Sequence, residues 1–168
     1  MTAQVSGSAL LAPTYQVFTI RDPEYDDDTD PAAASTAALT TMIGSSGEEV
    51  IIRCAQDTAR IRVTAEVHTT QPAAPTGPWT GLPHQELRFA SGLLVAVETT
   101  GPAYLELELP AGPGHYTLAA HHRGRPEAVE AVAEYFRQFL DHDPDRQVTD
   151  IATLAGIEQY LIQIWPTG

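Results

Sequence analysis

Residues 103–122 read AYLELELPAGPGHYTLAAHH, and they predict two β-strands joined by a turn. From Leu105 to Leu109 leucine alternates with glutamate, so the leucines share one face and the glutamates share the other. This period of two is typical of a strand with one buried and one wet face. Proline and glycine at 110–114 end the strand, and the apolar run after them predicts the next strand at 115–122. The stretch therefore favours a mainly β fold.

Similar patterns recur along the chain. The clearest is ARIRVTAEVH at 59–68, in which small and branched apolar residues alternate with polar ones. Two segments are too polar or too rich in proline to form an element, and they predict an acidic loop at 22–31 and a Pro/Gly-rich loop at 71–84. An alanine-rich stretch ending near Met42 is compatible with a short helix. Further strands are predicted at 14–21, 50–54, 86–90, 93–98 and 159–165.

The period changes in PEAVEAVAEYFRQFLD, which predicts one amphipathic helix near 127–141. Its larger apolar residues recur at steps of three and four, so we expect them to dock the helix on a sheet: Val129, Val132, Phe136 and Leu140. Together the patterns predict a mainly β chain, an antiparallel β-sandwich of about seven or eight strands with one helix. We expect a single domain over 1–168.

The composition restricts the classes of partner. With 22 acidic residues against nine arginines and no lysine, the net charge is −13. Such a chain repels nucleic acid and anionic membranes, so it favours either a basic protein partner or simply high solubility. The lone Cys54 excludes an internal disulfide, and the N-terminus lacks a basic start followed by a long apolar run. We therefore expect a cytoplasmic protein.

No motif for metal binding or catalysis is complete. His115 and His121 are too far apart on one strand to share an ion, although a zinc site assembled from distant histidines stays open. The acidic loop fails as a calcium loop, because Pro31 and Ala37 stand where glycine and glutamate are required. Cys54, in the apolar run VIIRCA, is interpreted as a core residue. We therefore predict no catalytic residue, no metal and no cofactor.

Two arginines are candidates for an anion site. Arg123 and Arg125 follow a predicted strand and precede the N-terminus of the predicted helix, where backbone N–H groups favour negative charge. The structural alternative is that they pair with nearby acids such as Glu127. The sequence favours the second interpretation.

Three segments carry a resemblance to a known family. They are TYQVFTI at 14–20, VIIRCAQ at 50–56 after Gly47, and LELPAGPGHYTLAAH at 107–121. These resemble the competence protein J family, inhibitors of a DNA-entry nuclease. The resemblance covers 14–20, 47–56, 86–123 and 159–166, and it makes 126–157 a helix-bearing insertion. The ending YLIQIWP is also similar to that of small acidic actinobacterial proteins.

The resemblance implies a β-sandwich inhibitor or immunity-type protein, and the net charge suits the basic cleft of a nuclease. We predict a non-catalytic binding protein that neutralises a basic protein partner such as a nuclease or toxin. The alternatives are a small-molecule binder or enzyme that uses Arg123 and Arg125, and a subunit of a homo-oligomer. The expected partner contacts are, first, Asp26, Asp27, Asp28 and Asp30 and, second, Asp141, Asp143 and Asp145.

Overall fold

The two strands predicted from residues 103–122 are present, but they lie in different sheets. The computed structural model describes residues 3–25, 31–98, 101, 103–140 and 150–168. Strand β9 (Ala103–Glu108) belongs to a five-stranded sheet, and β10 (Gly114–Arg123) belongs to a six-stranded sheet. The turn between them is closed by the Tyr116 hydroxyl, which donates to the Gly112 carbonyl oxygen at 2.6 Å. This stretch thus carries the chain from one sheet to the other.

The six-stranded sheet is built around the C-terminal strand. Ile162 of that strand lies opposite Ala120 in an antiparallel pair and opposite Ala65 in a parallel pair. The parallel pair departs from the expected all-antiparallel arrangement, because alternation of side chains does not encode the direction of the neighbouring strand. The order is β1 (Val5–Leu11), β5 (Ile61–Val67), β11 (Gln159–Pro166), β10 and β6 (Thr80–Gly81), with β7 (Gln85–Phe89) also paired to β10.

The five-stranded sheet is antiparallel throughout. Its first strand along the chain, β2, is shorter than predicted, because the first residues of 14–21 form a 3₁₀ turn, Thr14–Gln16. Tyr15 and Gln16 both have positive φ, 55° and 61°, which a strand does not allow. The order is β3 (Ile43–Ser45), β4 (Glu49–Arg53), β2 (Val17–Arg21), β8 (Leu93–Val97) and β9.

One hydrophobic core receives side chains from both sheets. Phe18 of β2 meets Tyr160 of β11 edge to face, with ring centroids 5.0 Å apart. Leu105 and Leu107 are buried on β9, as the alternation predicts, while the glutamates between and after them are exposed. Opposite these leucines, Gly7 leaves β1 the room to lie against β9. A strand at 5–11 was not predicted, because VSGSALL is too small and polar to show a clear pattern.

The described residues contain two α-helices, whereas the sequence predicted one amphipathic helix and left a second, alanine-rich one open. Helix α1 (Pro31–Thr41) covers part of the outer face of the five-stranded sheet, with Ala34 and Ala38 buried against Ile51. The close approach depends on Gly44, where a Cβ atom would overlap with the Ala34 carbonyl oxygen. The contact uses alanine methyl groups, which explains why apolar periodicity could not identify this helix.

Helix α2 (Arg125–Leu140) matches the predicted segment, but its predicted docking is wrong. Only Val132 of the four large apolar residues is buried, whereas Val129, Phe136 and Leu140 are 47%, 50% and 76% exposed. The helix packs mainly against a 3₁₀ helix, Ile151–Leu154. Periodicity shows which side chains share a face, but it does not show that another element covers that face.

Candidate functional site

The acidic loop predicted at 22–31 begins at a fixed point of the five-stranded sheet. The Asp22 side chain is fully buried at the end of β2. Its carboxylate accepts hydrogen bonds from the Ser91 backbone N–H at 2.8 Å, from the Ser91 hydroxyl at 2.9 Å and from the Glu24 N–H at 2.7 Å. Asp22 therefore anchors the start of the loop to the turn between β7 and β8, and it is not available to a partner.

Two further carboxylates lie on the same end of this sheet. Glu106 and Glu108 are exposed on β9, an edge strand, opposite Val95 and Leu93 of β8. The backbone N–H that follows them, on Leu109, donates to the Gly92 carbonyl oxygen at 2.9 Å. The β7–β8 turn thus contacts both the start of the acidic loop and the end of β9. We call the exposed carboxylates Glu24, Glu106 and Glu108 the acidic end.

The predicted partner contacts lie outside the described residues. The first set follows Tyr25 directly, so the chain leaves the described part at the acidic end: Asp26, Asp27, Asp28 and Asp30. The second set follows the last residue of α2: Asp141, Asp143 and Asp145. Both sets remain predictions.

Arg125 lies in a cluster of polar groups that are largely buried. Its guanidinium Nη1 donates to the Arg53 carbonyl oxygen at 2.7 Å and to the Tyr160 hydroxyl at 2.6 Å, and it pairs with Glu158 at 3.3 Å. The Arg125 side chain is 17% exposed and that of Glu158 is 1% exposed. The geometry favours the pairing interpretation of Arg125, although the acid is Glu158 and not the neighbouring Glu127.

The Glu158 carboxylate is fully used within this cluster. It accepts hydrogen bonds from the Tyr160 hydroxyl at 2.6 Å, the Ala55 N–H at 2.7 Å and the Gln56 amide at 3.3 Å. Burial raises the pKa of the Tyr160 hydroxyl. Burial, reinforced by Glu158, also raises the pKa of the Cys54 thiol well above its usual value. Cys54 is therefore a buried core residue, as the sequence indicated.

The Arg123 side chain has different partners from those of Arg125. Its guanidinium donates to the Gln159 side-chain oxygen at 3.0 and 2.7 Å and lies 4.4 Å from the centroid of the Trp79 ring. Trp79 comes from the segment predicted as a Pro/Gly-rich loop, 71–84, which also contains the two residues of β6. The guanidinium groups of Arg123 and Arg125 thus contact different partners and do not converge on one space.

Two adjacent histidines on β10 make stability depend on pH. Burial lowers the pKa of His121, with His84 contributing, and burial also lowers the pKa of His122, with Arg125 and His121 contributing. The unfolded chain therefore binds protons before the folded one does as the pH falls below about 6.5. Stability that is present above this pH is lost as the histidines of the unfolded state become charged.

We expect the free energy of unfolding in urea to be lower at pH 5.5 than at pH 7.5. Replacing both of these half-buried histidines, His121→Gln with His122→Gln, is expected to reduce this difference. The matched control is His115→Gln, which removes an exposed histidine from the same strand and leaves the difference unchanged. An equal pH dependence in the double variant and in the control would show that these two histidines do not cause it.

Other candidate chemistry is limited in the described part of the chain. Within residues 3–25, 31–98, 101, 103–140 and 150–168, no three His, Cys, Asp or Glu side chains are placed to hold a metal ion. Over the same ranges no helix has the length and apolar character needed to cross a bilayer. A cavity of about 450 Å³, which sequence reasoning missed, opens on the outer face of the five-stranded sheet beside α1.

Comparison with known proteins identifies the fold. No protein-family model matches the sequence, and no curated protein matches it. Among solved structures, ComJ from Bacillus subtilis, an inhibitor of the DNA degrading activity of NucA, is similar with a TM-score of 0.57 and 9% identity. The match covers 99% of this chain and 98% of ComJ. The chain has a ComJ-like fold.

A second solved structure, described as Crocagin biosynthetic gene J, is similar with a TM-score of 0.54 and 14% identity, over 98% of this chain and 100% of that one. At such identities the likeness is one of fold. The resemblance to the competence protein J family, read from short strand and turn segments, is thus confirmed at the level of the fold.

Proposed function

We propose that this chain is a non-catalytic, inhibitor-like protein that binds and neutralises a basic protein partner such as a nuclease or toxin. The observation that carries the proposal is the ComJ-like fold, which extends over 99% of the chain. ComJ inhibits a DNA-degrading nuclease, and the net charge of −13 suits a partner whose own site is basic because it binds DNA.

The acidic end is the surface that we assign to this partner. Its three exposed glutamates lie around the point where the chain enters the loop that carries Asp26, Asp27, Asp28 and Asp30. Carboxylates grouped in this way attract a basic surface over a distance of about 8–10 Å at physiological salt, which speeds association and sets orientation. The contribution of such rim charges appears mainly in the association rate and its salt dependence.

The proposal of a non-catalytic protein is supported by two reactive side chains, Cys54 and Arg125, which are buried or already paired within the fold. The Cys54 thiol is buried and has a raised pKa, and Arg125 is engaged by Glu158 and Tyr160. Both side chains therefore contribute to the stability of the fold. Among the exposed charged side chains of the described residues, carboxylates outnumber arginines, which suits a basic partner.

The proposal is tested by capture from a lysate of the native host on the immobilised chain, with elution by a salt gradient and identification by mass spectrometry. We expect a basic nuclease or toxin to elute at moderate salt. In a loop variant, Asp26, Asp27, Asp28 and Asp30 become asparagine, and the buried Asp22 is kept. For the captured protein, we expect its association rate at low ionic strength to be roughly tenfold to a hundredfold lower with this variant.

A control variant removes the same number of charges elsewhere on the described surface: Asp57→Asn, Glu86→Gln, Glu127→Gln and Glu130→Gln. It has the same net charge as the loop variant, so a general effect of charge would lower both association rates equally. Equal rates for the two variants contradict the assignment of the surface. Elution of only acidic proteins, or of none, contradicts the proposed partner class.

A further inference from the structure

The cavity on the outer face of the five-stranded sheet has the size of a site for a small organic molecule. Its volume is about 450 Å³, within the usual range for such sites. The floor is formed by outward-facing residues of three neighbouring strands, Val17 and Thr19 of β2, Ile51 of β4 and Val97 of β8. Helix α1 forms one wall. The floor is therefore largely apolar and is supported by regular secondary structure.

The two ends of this floor differ in charge. Arg53 lies opposite Val17 at one end, and Arg21 lies opposite Glu49 at the other, four residues further along β2. The two ends are therefore about 13 Å apart along the strand. Glu49 offsets the charge of Arg21, whose guanidinium also lies 4.0 Å from the centroid of the Tyr25 ring. The cationic end of the cavity is thus the one with Arg53.

The Arg53 side chain is free to meet a ligand. Among the described residues its guanidinium makes no hydrogen bond or ion pair. Its backbone, in contrast, is tightly held, because the Arg53 carbonyl oxygen accepts from Arg125 at 2.7 Å and from Tyr160 at 3.2 Å. The hydrogen bonds from Arg125 and Tyr160 therefore fix the backbone position from which the Arg53 side chain faces the cavity.

The rim beside Arg53 has an unusual backbone. Tyr15 and Gln16 line the cavity with consecutive positive φ angles, and the Tyr15 side chain is 83% exposed. The Gln16 carbonyl oxygen accepts from the Cys54 N–H at 2.7 Å, which holds this conformation. Left-handed backbone at residues other than glycine is costly and concentrates at functional sites. Here it places an aromatic ring at the cationic end of the cavity.

We propose that this cavity binds a small organic acid with an aromatic or apolar body. The carboxylate pairs with the Arg53 guanidinium, and the body lies on the floor formed by Val17, Thr19, Ile51 and Val97. Arginine is suited to the carboxylate because its planar donors match the two oxygens. This inference goes beyond the proposed partner binding and does not rest on it, since the cavity and the acidic end use different residues.

The test compares two probes of nearly equal shape, indole-3-acetate and its neutral amide, indole-3-acetamide. Each is titrated into the isotope-labelled full chain, and backbone amide shifts are followed by NMR. We expect indole-3-acetate to shift the amides of the floor residues and to bind roughly tenfold or more tightly than the amide, since a hydrogen bond to a charged group is lost with the latter.

Two variants separate the role of Arg53 from a general effect of charge. Arg53→Gln is expected to lose this preference for the acid, whereas Arg60→Gln, at an exposed arginine outside the cavity, retains it. The comparison of acid and amide is made on the unaltered chain, so it stands even if a variant folds poorly. The proposal is overturned by equal binding of acid and amide, by shifts confined to other surfaces, or by an unchanged preference in Arg53→Gln.

Discussion

Replacing Arg125 with methionine is expected to lower the free energy of unfolding by about 3–5 kcal/mol. Methionine fills much of the same space but leaves the Glu158 carboxylate, 1% exposed, without its counter-charge. It also removes the donor to the Arg53 carbonyl oxygen and to the Tyr160 hydroxyl. Urea unfolding followed by circular dichroism measures the change. No other single side chain in the described structure connects α2, β4 and β11 in this way.

The matched control is Arg123→Met, two residues away. Arg123 bonds to Gln159 and lies over Trp79, so we expect a loss of about 1 kcal/mol. The double variant Arg125→Met with Glu158→Gln removes both charges and keeps an acceptor for the Ala55 N–H. It should therefore recover a large part of the lost stability. If Arg125→Met costs no more than Arg123→Met, the buried cluster does not stabilise the fold as described.

The second large effect is expected at Gly124, which joins β10 to α2. Its φ is 73°, and a Cβ atom there would overlap with the carbonyl oxygen of Ile157. In Gly124→Ala, backbone strain costs roughly 1–2 kcal/mol, and the overlap adds about 1–3 kcal/mol because backbone must move. We expect a clear fall in the midpoint of thermal unfolding, because the backbone movement at residue 124 also displaces the neighbouring Arg125.

Gly112 provides a control with nearly the same backbone. Its φ is 76°, but a Cβ atom there would have no neighbour within 4 Å. Gly112→Ala therefore reports the strain alone, and the difference between the two variants reports the overlap with Ile157. Equal losses of stability would mean that the junction of β10 and α2 is not packed as closely as the structure shows.

The sequence was sufficient to locate most strands, because alternation is a local property. Leu105 and Leu107 are buried and Glu106 and Glu108 exposed, as the pattern predicts. It could not show that the PAGPG turn leads into a different sheet, since that depends on partners distant in sequence. The same holds for β1, whose strand conformation is set by pairing with β5 and by the close approach of Gly7 to β9.

The candidate site was less predictable than the fold. Arg125 and Glu158 are 33 positions apart, and no spacing rule connects a residue at a helix start with one before the last strand. The cavity beside α1 was missed for a related reason. Its floor lies on β2, β4 and β8, and the residue types that predicted these strands do not show that their outer face is only partly covered.

The acidic end and the buried cluster of Arg125, Glu158 and Tyr160 have different roles. The cluster holds the junction of β4, α2 and β11, so its variants change stability. The carboxylates at the acidic end are exposed, so their neutral variants are expected to fold normally and to change only association with a partner. Measuring both properties on each variant therefore distinguishes a damaged fold from a lost contact.

The most direct test of the proposed inhibition is a titration of nuclease activity. The basic protein captured by this chain is purified, and its rate of DNA degradation is measured against increasing amounts of the chain. We expect the rate to fall to background near one equivalent of chain at low salt, and we expect the loop variant to require a clear excess. An unchanged rate of degradation at a large excess of the unaltered chain would contradict the proposed inhibition.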